Sequence, residues 1–233
     1  LLANEVDLCV HSLKDVPVLE NPALPIGAYP KRAPAYDGMV LPKQQSFADW
    51  NQSLPVGSAS SRRTLQFQMQ YPACTVHPIR GNVLTRLEKL DRGEYGALIL
   101  AEAGLQRLGL EHRITRRFSP AEIVPAAGQG ILAVQGRAGE YTDLLQRLND
   151  PQAAFCAKIE RAVSKALNGD CTAPIGAYAD LQGEHVTLYG FYAEDGVGIK
   201  STLTGSVTQA ESLANTFAEQ LKQQVQEKKE AML

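Results

Sequence analysis

The chain has 233 residues, with 23 basic against 25 acidic side chains, a formal net charge of -2 and 44% hydrophobic residues. That length buries a real core and has room for two modest domains, while the near balance of charge argues against a general nucleic-acid surface, so any cationic site must be local. No apolar run approaches a membrane span, no charged-then-apolar leader opens the sequence, and Cys9, Cys74, Cys156 and Cys171 lack the paired spacing of a zinc site or disulfide framework; a cytoplasmic protein with no metal, nucleic-acid or membrane partner is expected.

In chain order, "EVDLCV" (5–10), "ACTVHPI" (73–79), "YGALILA" (95–101) and "ILAVQG" (131–136) are short apolar runs that predict strands covered on both faces of a parallel sheet. Between them, "NVLTRLEKLDRG" predicts a helix with Val83, Leu84, Leu87 and Leu90 on one side and Gly93 at its end, and "AGLQRLGL" a shorter one. Strand alternating with helix implies an α/β layer with crossover connections. The Pro- and Gly-rich "NPALPIGAYPKRAPAYDG" reads as a connection into a new domain and "SPAEIVPAAGQG" as the way back, setting off a middle segment of about Tyr36 to Val124. From Asp150 the pattern becomes helix ("PQAAFCAKIERAVSKAL"), loop ("NGDCTAP"), strands ("IGAYADL", "HVTLYGFYA", "IKSTLTGSV") and a long helix from Gln209, an α+β order with an antiparallel sheet.

Residues just beyond strand ends are where α/β folds hold ligands. Ser12, Lys14 and Asp15 follow the first strand; Arg62 and Arg63 sit in "GSASSRRT"; Arg80, Gly81, Asn82 and Arg86 follow "TVHPI"; Arg107 lies after "ALILA". Two adjacent arginines at a serine-capped helix start are unfavourable beside the helix dipole, so something negative must offset them, either a neighbouring side chain or a ligand. Each arginine alone reads as a surface ion pair; the recurring set points to a ligand with several carboxylates or phosphates. Asp15 fits either a turn cap or a group that stabilises a ligand cation or moves a proton. His11, His77, His112 and His185 are scattered and take no role. Cys9, Cys74 and Cys156 fall in apolar element positions, whereas Cys171, in the loop "NGDCTAP", is a nucleophile, a covalent attachment point or an exposed bystander.

Together "HSLKDVP", "VGSASSRRT", "IRGNVLTRLEKLDRGEYGALILAEAGLQRLGL", "PAAGQG" and "NGDCTAPIGAYA", in that order from about Val6 to Ala179, resemble the porphobilinogen deaminase (hydroxymethylbilane synthase) family. The resemblance implies two α/β domains similar to periplasmic binding proteins, the first incomplete, at 1–33 with 128–149 and at 34–127, and an α+β domain with a small antiparallel sheet at 150–233. It implies a transferase that condenses four porphobilinogen molecules, with release of ammonia, into hydroxymethylbilane in tetrapyrrole (haem) biosynthesis, as a cytoplasmic monomer. By motif, a dipyrromethane cofactor is joined through a thioether to Cys171, and Asp15 faces the pyrrole nitrogens and stabilises the cation left when ammonia departs. Ser12, Lys14, Ser58, Ser60, Arg62, Arg63, Arg80, Gly81, Asn82, Arg86, Arg107, Gln129 and Gly130 are expected to hold carboxylates of cofactor or substrate. The family's turn T-S-S-L-R-R has Ala59 and Ser61 in place of a serine and an apolar residue, and its T-R-x-S-x-L-A and K-G-L-F motifs do not occur, so an N-terminal part is expected to be missing. The alternatives are a non-catalytic binding protein for a small polycarboxylate, which tolerates Cys171→Ala, and an inactive fragment.

Overall fold

A computed structural model gives the structure of residues 1–19, 21–168 and 173–232; Cys171 lies outside these described residues. Its elements are β1 (Leu8–Ser12), a one-turn 3-10 helix (Leu13–Asp15), β2 (Ile26–Ala28), β3 (Asp37–Val40), β4 (Val56–Gly57), α1 (Ser61–Gln70), β5 (Val76–His77), α2 (Val83–Asp91), β6 (Ala97–Ala101), α3 (Glu102–Gln106) and β7 (Ile114–Arg117). Then come β8 (Leu132–Gly136), α4 (Thr142–Leu148), α5 (Pro151–Ala166), β9 (Ile175–Gln182), β10 (His185–Glu194), β11 (Val197–Ser206) and α6 (Ala210–Glu230).

The strands form three sheets, in the orders β1-β8-β2, β5-β4-β6-β3-β7 and β11-β10-β9. The wholly parallel arrangement expected from the apolar runs is corrected here. Among the described residues only β5, β4 and β6 run parallel, whereas β3 pairs antiparallel with both β6 and β7, and β8 pairs antiparallel with β1 and β2. The reason is where the chain re-enters. β8 is reached from a crossing segment that arrives at the end where β1 leaves, with Leu13 N donating to Ile131 O at 3.0 Å, so the strand must run back against β1; a parallel partner needs a crossover that returns to the opposite end. In the middle sheet the entering strand β3 and the leaving strand β7 likewise lie side by side, Gly38 opposite Arg117.

Coverage of the middle sheet on both faces is as expected. Met39, Val56, Phe67, Ile99 and Phe118 pack on one side and Val40, Leu87, Leu90, Leu98 and Leu105 on the other, and consecutive residues of β6 alternate between them. On α2 the buried stripe is Val83, Leu87 and Leu90; Leu84, expected beside them, is turned outward and half exposed, because one residue on is a rotation of about 100°. The third sheet is a meander whose β10–β11 turn is Asp195-Gly196, with φ of 52° and 80°, the pair of positive values a tight hairpin turn needs. α5 and α6 cover one face of it through Ile159, Val163, Val186, Leu188, Phe217 and Leu221.

Two crossing segments join the first and middle sheets, and they touch backbone to backbone: Ala33 N donates to Gly130 O at 3.1 Å. Gly130 has φ +86°, and a Cβ there would lie 2.4 Å from Ala33 O, against main chain that cannot turn aside. Gly93, with a similar φ of +81°, has nothing within 4 Å of such a Cβ. Gly93→Ala is therefore expected to cost only the left-handed backbone penalty of about 1–2 kcal/mol, and Gly130→Ala clearly more, measured as the difference between the two urea-unfolding free energies. Equal losses would remove the close crossing as a constraint.

Candidate functional site

The two arginines that begin α1 are buried, not displayed. Ser60 caps the helix, its Oγ accepting Arg63 N at 3.4 Å, and Ser58 Oγ accepts Ser60 N at 3.2 Å, which shapes the turn out of β4. Arg62 and Arg63 are 4% and 7% exposed. Their counter-charge is Asp37, the first residue of β3, itself fully buried. Its Oδ2 accepts Arg62 Nη1 at 2.8 Å, and its Oδ1 accepts Arg63 Nε at 2.9 Å and Gln129 Nε2 at 2.9 Å. Burial by itself pushes the Asp37 carboxyl up, but the charges of Arg62 and Arg63 and the bonds from Arg62 and Gln129 outweigh it and hold the group down at about 2. Arg62 also donates to Val124 O at 2.6 Å and Gln129 to Ala35 O at 2.6 Å, so the cluster spans both crossing segments.

One carboxylate against two guanidiniums leaves a net positive centre, and Arg62 Nε and Nη2 have no partner among the described residues. A cavity of about 680 Å³ opens beside it, walled by Lys14, Asp15, Val16, Ser60, Arg62, Arg63, Ala126, Gln129, Arg161, Ser164 and Ile175, among others. Lys14 is brought down to about 8, first by burial and then by repulsion from Arg63, with Asp15 and Asp37 opposing. Asp15, on the 3-10 turn, is exposed at the cavity edge. This wall is cationic with one accessible carboxylate, and apolar in between, as a site for a small polyanion requires.

Of the residues singled out from the sequence, the cavity brings together Lys14, Asp15, Ser60, Arg62, Arg63 and Gln129. Ser12, Ser58, Arg80, Gly81, Asn82, Arg86, Arg107 and Gly130 do not line it. Asn82 caps α2, its Oδ1 accepting Thr85 N at 2.9 Å; Gly81, at φ +114°, gives its carbonyl to Arg86 Nε at 2.7 Å; Arg107 Nη2 donates to Gly130 O at 3.2 Å. Arg86 does feel the site: burial and then repulsion from Arg63 lower its affinity for its proton. Cys171 lies outside the described residues, but Ala173, two positions on, lines the cavity.

Three contributors escaped the sequence reading. Asp37 sat in what read as a Pro- and Gly-rich connection. Arg161 and Ser164 sat in a helix read for its amphipathicity, where the signal was a charged pair, Glu160-Arg161, set into an apolar stripe. Glu160 is fully buried: it pairs with Arg32 Nη1 at 2.6 Å, and accepts Gly128 N at 2.7 Å and Ala179 N at 2.9 Å.

A family model described as "Porphobilinogen deaminase, dipyromethane cofactor binding domain" matches residues 1–144, and one described as "Porphobilinogen deaminase, C-terminal domain" matches residues 154–223. The chain belongs to the porphobilinogen deaminase family. Similar relatives include the porphobilinogen deaminases of Acetivibrio thermocellus, 50% identical over 219 residues (94% of this chain, 74% of the relative), and of Alkaliphilus oremlandii, 45% identical over 223 residues (95% and 75%). That of Thiobacillus denitrificans is 40% identical over 225 residues (95% and 74%). The chain thus spans about three quarters of the length of these porphobilinogen deaminases. Among solved structures, a TRAP periplasmic solute binding protein from Desulfovibrio salexigens aligns at 12% identity over 69% of this chain and 59% of that one, with a TM-score of 0.38, too slight a likeness to argue from.

The buried Arg–Asp–Arg cluster makes a definite prediction. A carboxyl held below its unfolded value of about 3.9 stabilises the fold fully above that value, and the contribution is lost as pH falls toward the folded value. Asp37→Asn, which keeps the shape and removes the charge, is expected to lower unfolding free energy at neutral pH by about 3–5 kcal/mol. Part of the wild-type loss of stability between about pH 4 and about pH 2 should be missing from the variant in parallel urea titrations.

Proposed function

We propose that this chain acts as a hydroxymethylbilane synthase type transferase, condensing four porphobilinogen molecules with release of ammonia into the linear tetrapyrrole hydroxymethylbilane. The observation that carries the reading is the convergence on one cavity of Lys14 and Asp15 from beside the first sheet, Arg62 and Arg63 from the middle unit, and Ala173, two residues past Cys171, from the third. A net cationic wall with unspent guanidinium donors suits a chain of acetate and propionate groups. Its volume of about 680 Å³ lies within the range of small-molecule sites, about 300–1,000 Å³.

In this reading a dipyrromethane cofactor, linked by a thioether to Cys171, supplies the pyrrole carbon on which the product is built and the carboxylates that keep it in place. Arg62, Arg63 and Lys14 hold carboxylates, helped by the N-terminus of α1 and Ser60, and Gln129 and Asp37 keep the arginines in place. Asp15 is the catalytic carboxylate. It faces the pyrrole nitrogens, and its fixed negative charge stabilises the cation that forms as ammonia leaves the aminomethyl carbon. Leu13, Val16 and Ile175 keep the surroundings apolar, which strengthens that interaction. Gln129 also belongs to the proposed carboxylate-binding set, which Ser12, Ser58, Arg80, Gly81, Asn82, Arg86, Arg107 and Gly130 complete. We further take the units to be 1–33 with 128–149, 34–127 and 150–233, the first two a periplasmic-binding-protein-like pair closing on the cavity, and the protein to be a cytoplasmic monomer.

Protein made in cells is expected to carry a mass excess of two pyrrole units, absent in Cys171→Ser. Asp15→Asn should retain that mass while turnover falls by about 100-fold or more; a variant turning over at the wild-type rate would remove Asp15 from the chemistry. Lys14 gives a separate, pH-dependent test. Carboxylate binding requires its protonated form, so KM for porphobilinogen should climb as pH rises through about 8, and the climb should vanish in Lys14→Arg, whose charge persists.

A further inference from the structure

We propose that Arg161 is a positioning residue for Asp15: from α5 it fixes the loop that carries the carboxylate, and so sets the placement of that carboxylate at the cavity wall. This rests on the reading of Asp15 as the group that stabilises the departing-ammonia cation.

The loop around Asp15 is held at both ends by α5. On the near side, Leu13 is buried against Ala157, and its N–H donates to Ile131 O at 3.0 Å while its carbonyl accepts Val16 N at 3.0 Å. On the far side, Arg161 donates to three successive carbonyls: Nη1 to Val16 O at 3.2 Å, and Nη2 to Pro17 O at 2.8 Å and Val18 O at 3.2 Å. Pro17 has no N–H, and among the described residues the main chain of 17–19 finds no other hydrogen bond. Leu19 is 78% exposed, so packing adds little to hold this stretch. Three carbonyls turned to one side point their dipoles together, an arrangement that needs a cation with several donors in a fixed fork. Arg161 meets that need while only 8% exposed.

Ala157, Arg161 and Ser164 recur at the four- and three-residue spacing that puts them on one face of α5, and Arg161 and Ser164 line the cavity. The helix ends at Ala166 and the chain then runs to Cys171. The element that leads into the proposed attachment point thus also grips the loop of the proposed catalytic carboxylate. A carboxylate that works by electrostatic placement loses effect steeply when displaced, since misplacement of about 1 Å costs on the order of 100-fold.

The test is a double-mutant cycle on cofactor-loaded enzyme, with mass spectrometry confirming the load. Arg161→Ala is expected to lower kcat by about tenfold or more with KM for porphobilinogen changed by less than about twofold, and Arg161→Lys, which keeps charge but not the fork, to fall between. In an Asp15→Glu background, where the carboxylate is already misplaced, Arg161→Ala should cost far less. The same loss in both backgrounds, a loss confined to KM, or unchanged kcat in both Arg161 variants would overturn the proposal; should Arg161→Ala not fold, the Lys variant is judged by the same criteria. Failure of the underlying reading is distinguishable, because Asp15→Glu alone would then keep the wild-type kcat, and it would take this proposal with it.

Discussion

A single buried carboxylate, Asp37, makes the rest of the site physically possible. Two guanidiniums at a helix N-terminus repel each other and the dipole, and removing them from water is costly. Asp37 divides its two oxygens between them. Such a triad does little for net stability compared with a well-packed apolar cluster, and what it contributes is position. Arg62 and Arg63 are held by main-chain and side-chain acceptors on β3, β6 and the returning crossing segment, which fixes where their remaining donors lie. The charge left over after this neutralisation is what a carboxylate ligand would meet in the proposed reading.

A second buried carboxylate does for the architecture what Asp37 does for the site. Glu160 on α5 gathers Arg32 from the outgoing crossing, Gly128 N from the returning one and Ala179 N from β9. Arg32 in turn donates to Gln129 O at 3.0 Å and lies over the ring of Tyr178, 5.0 Å from its centroid. The amide side chain of that same Gln129 reaches Asp37. The two acids are therefore joined through Arg32 and Gln129, and the third sheet, the crossings and the arginine pair form a continuous buried polar seam.

The parts legible in the sequence were those whose signal is periodic. The β9 to β11 meander and α6 follow clear period-2 and helical patterns, and α2 follows from Val83, Leu87 and Leu90. Strand direction was not legible, because an apolar run reads the same whichever way its neighbour points; only the route of the chain decides it. β5, only two residues long, lies inside the run "ACTVHPI" that read as a strand, whereas β4, also two residues, formed no apolar run long enough to be read as one. At the site, Lys14, Asp15, Arg62 and Arg63 stood out as charges after strands, whereas Asp37 and Glu160 were hidden because their meaning lies in partners 25 and 128 positions away. The turn puzzle of "GSASSRRT" had left two answers open, a neighbouring side chain or a ligand. Asp37 supplies the first and leaves one charge for the second.

The sheet order β1-β8-β2 has a consequence for how the molecule is made. β1 and β2 do not pair with each other; both pair with β8. As the chain is made, these two early strands must wait until Leu132–Gly136 has been synthesised, and every strand of the middle sheet, from Asp37 to Arg117, is synthesised before it. Within this chain β1 and β2 are thus not the first strands that can complete their sheet, and their edges toward β8 stay open to wrong partners for the whole of that interval.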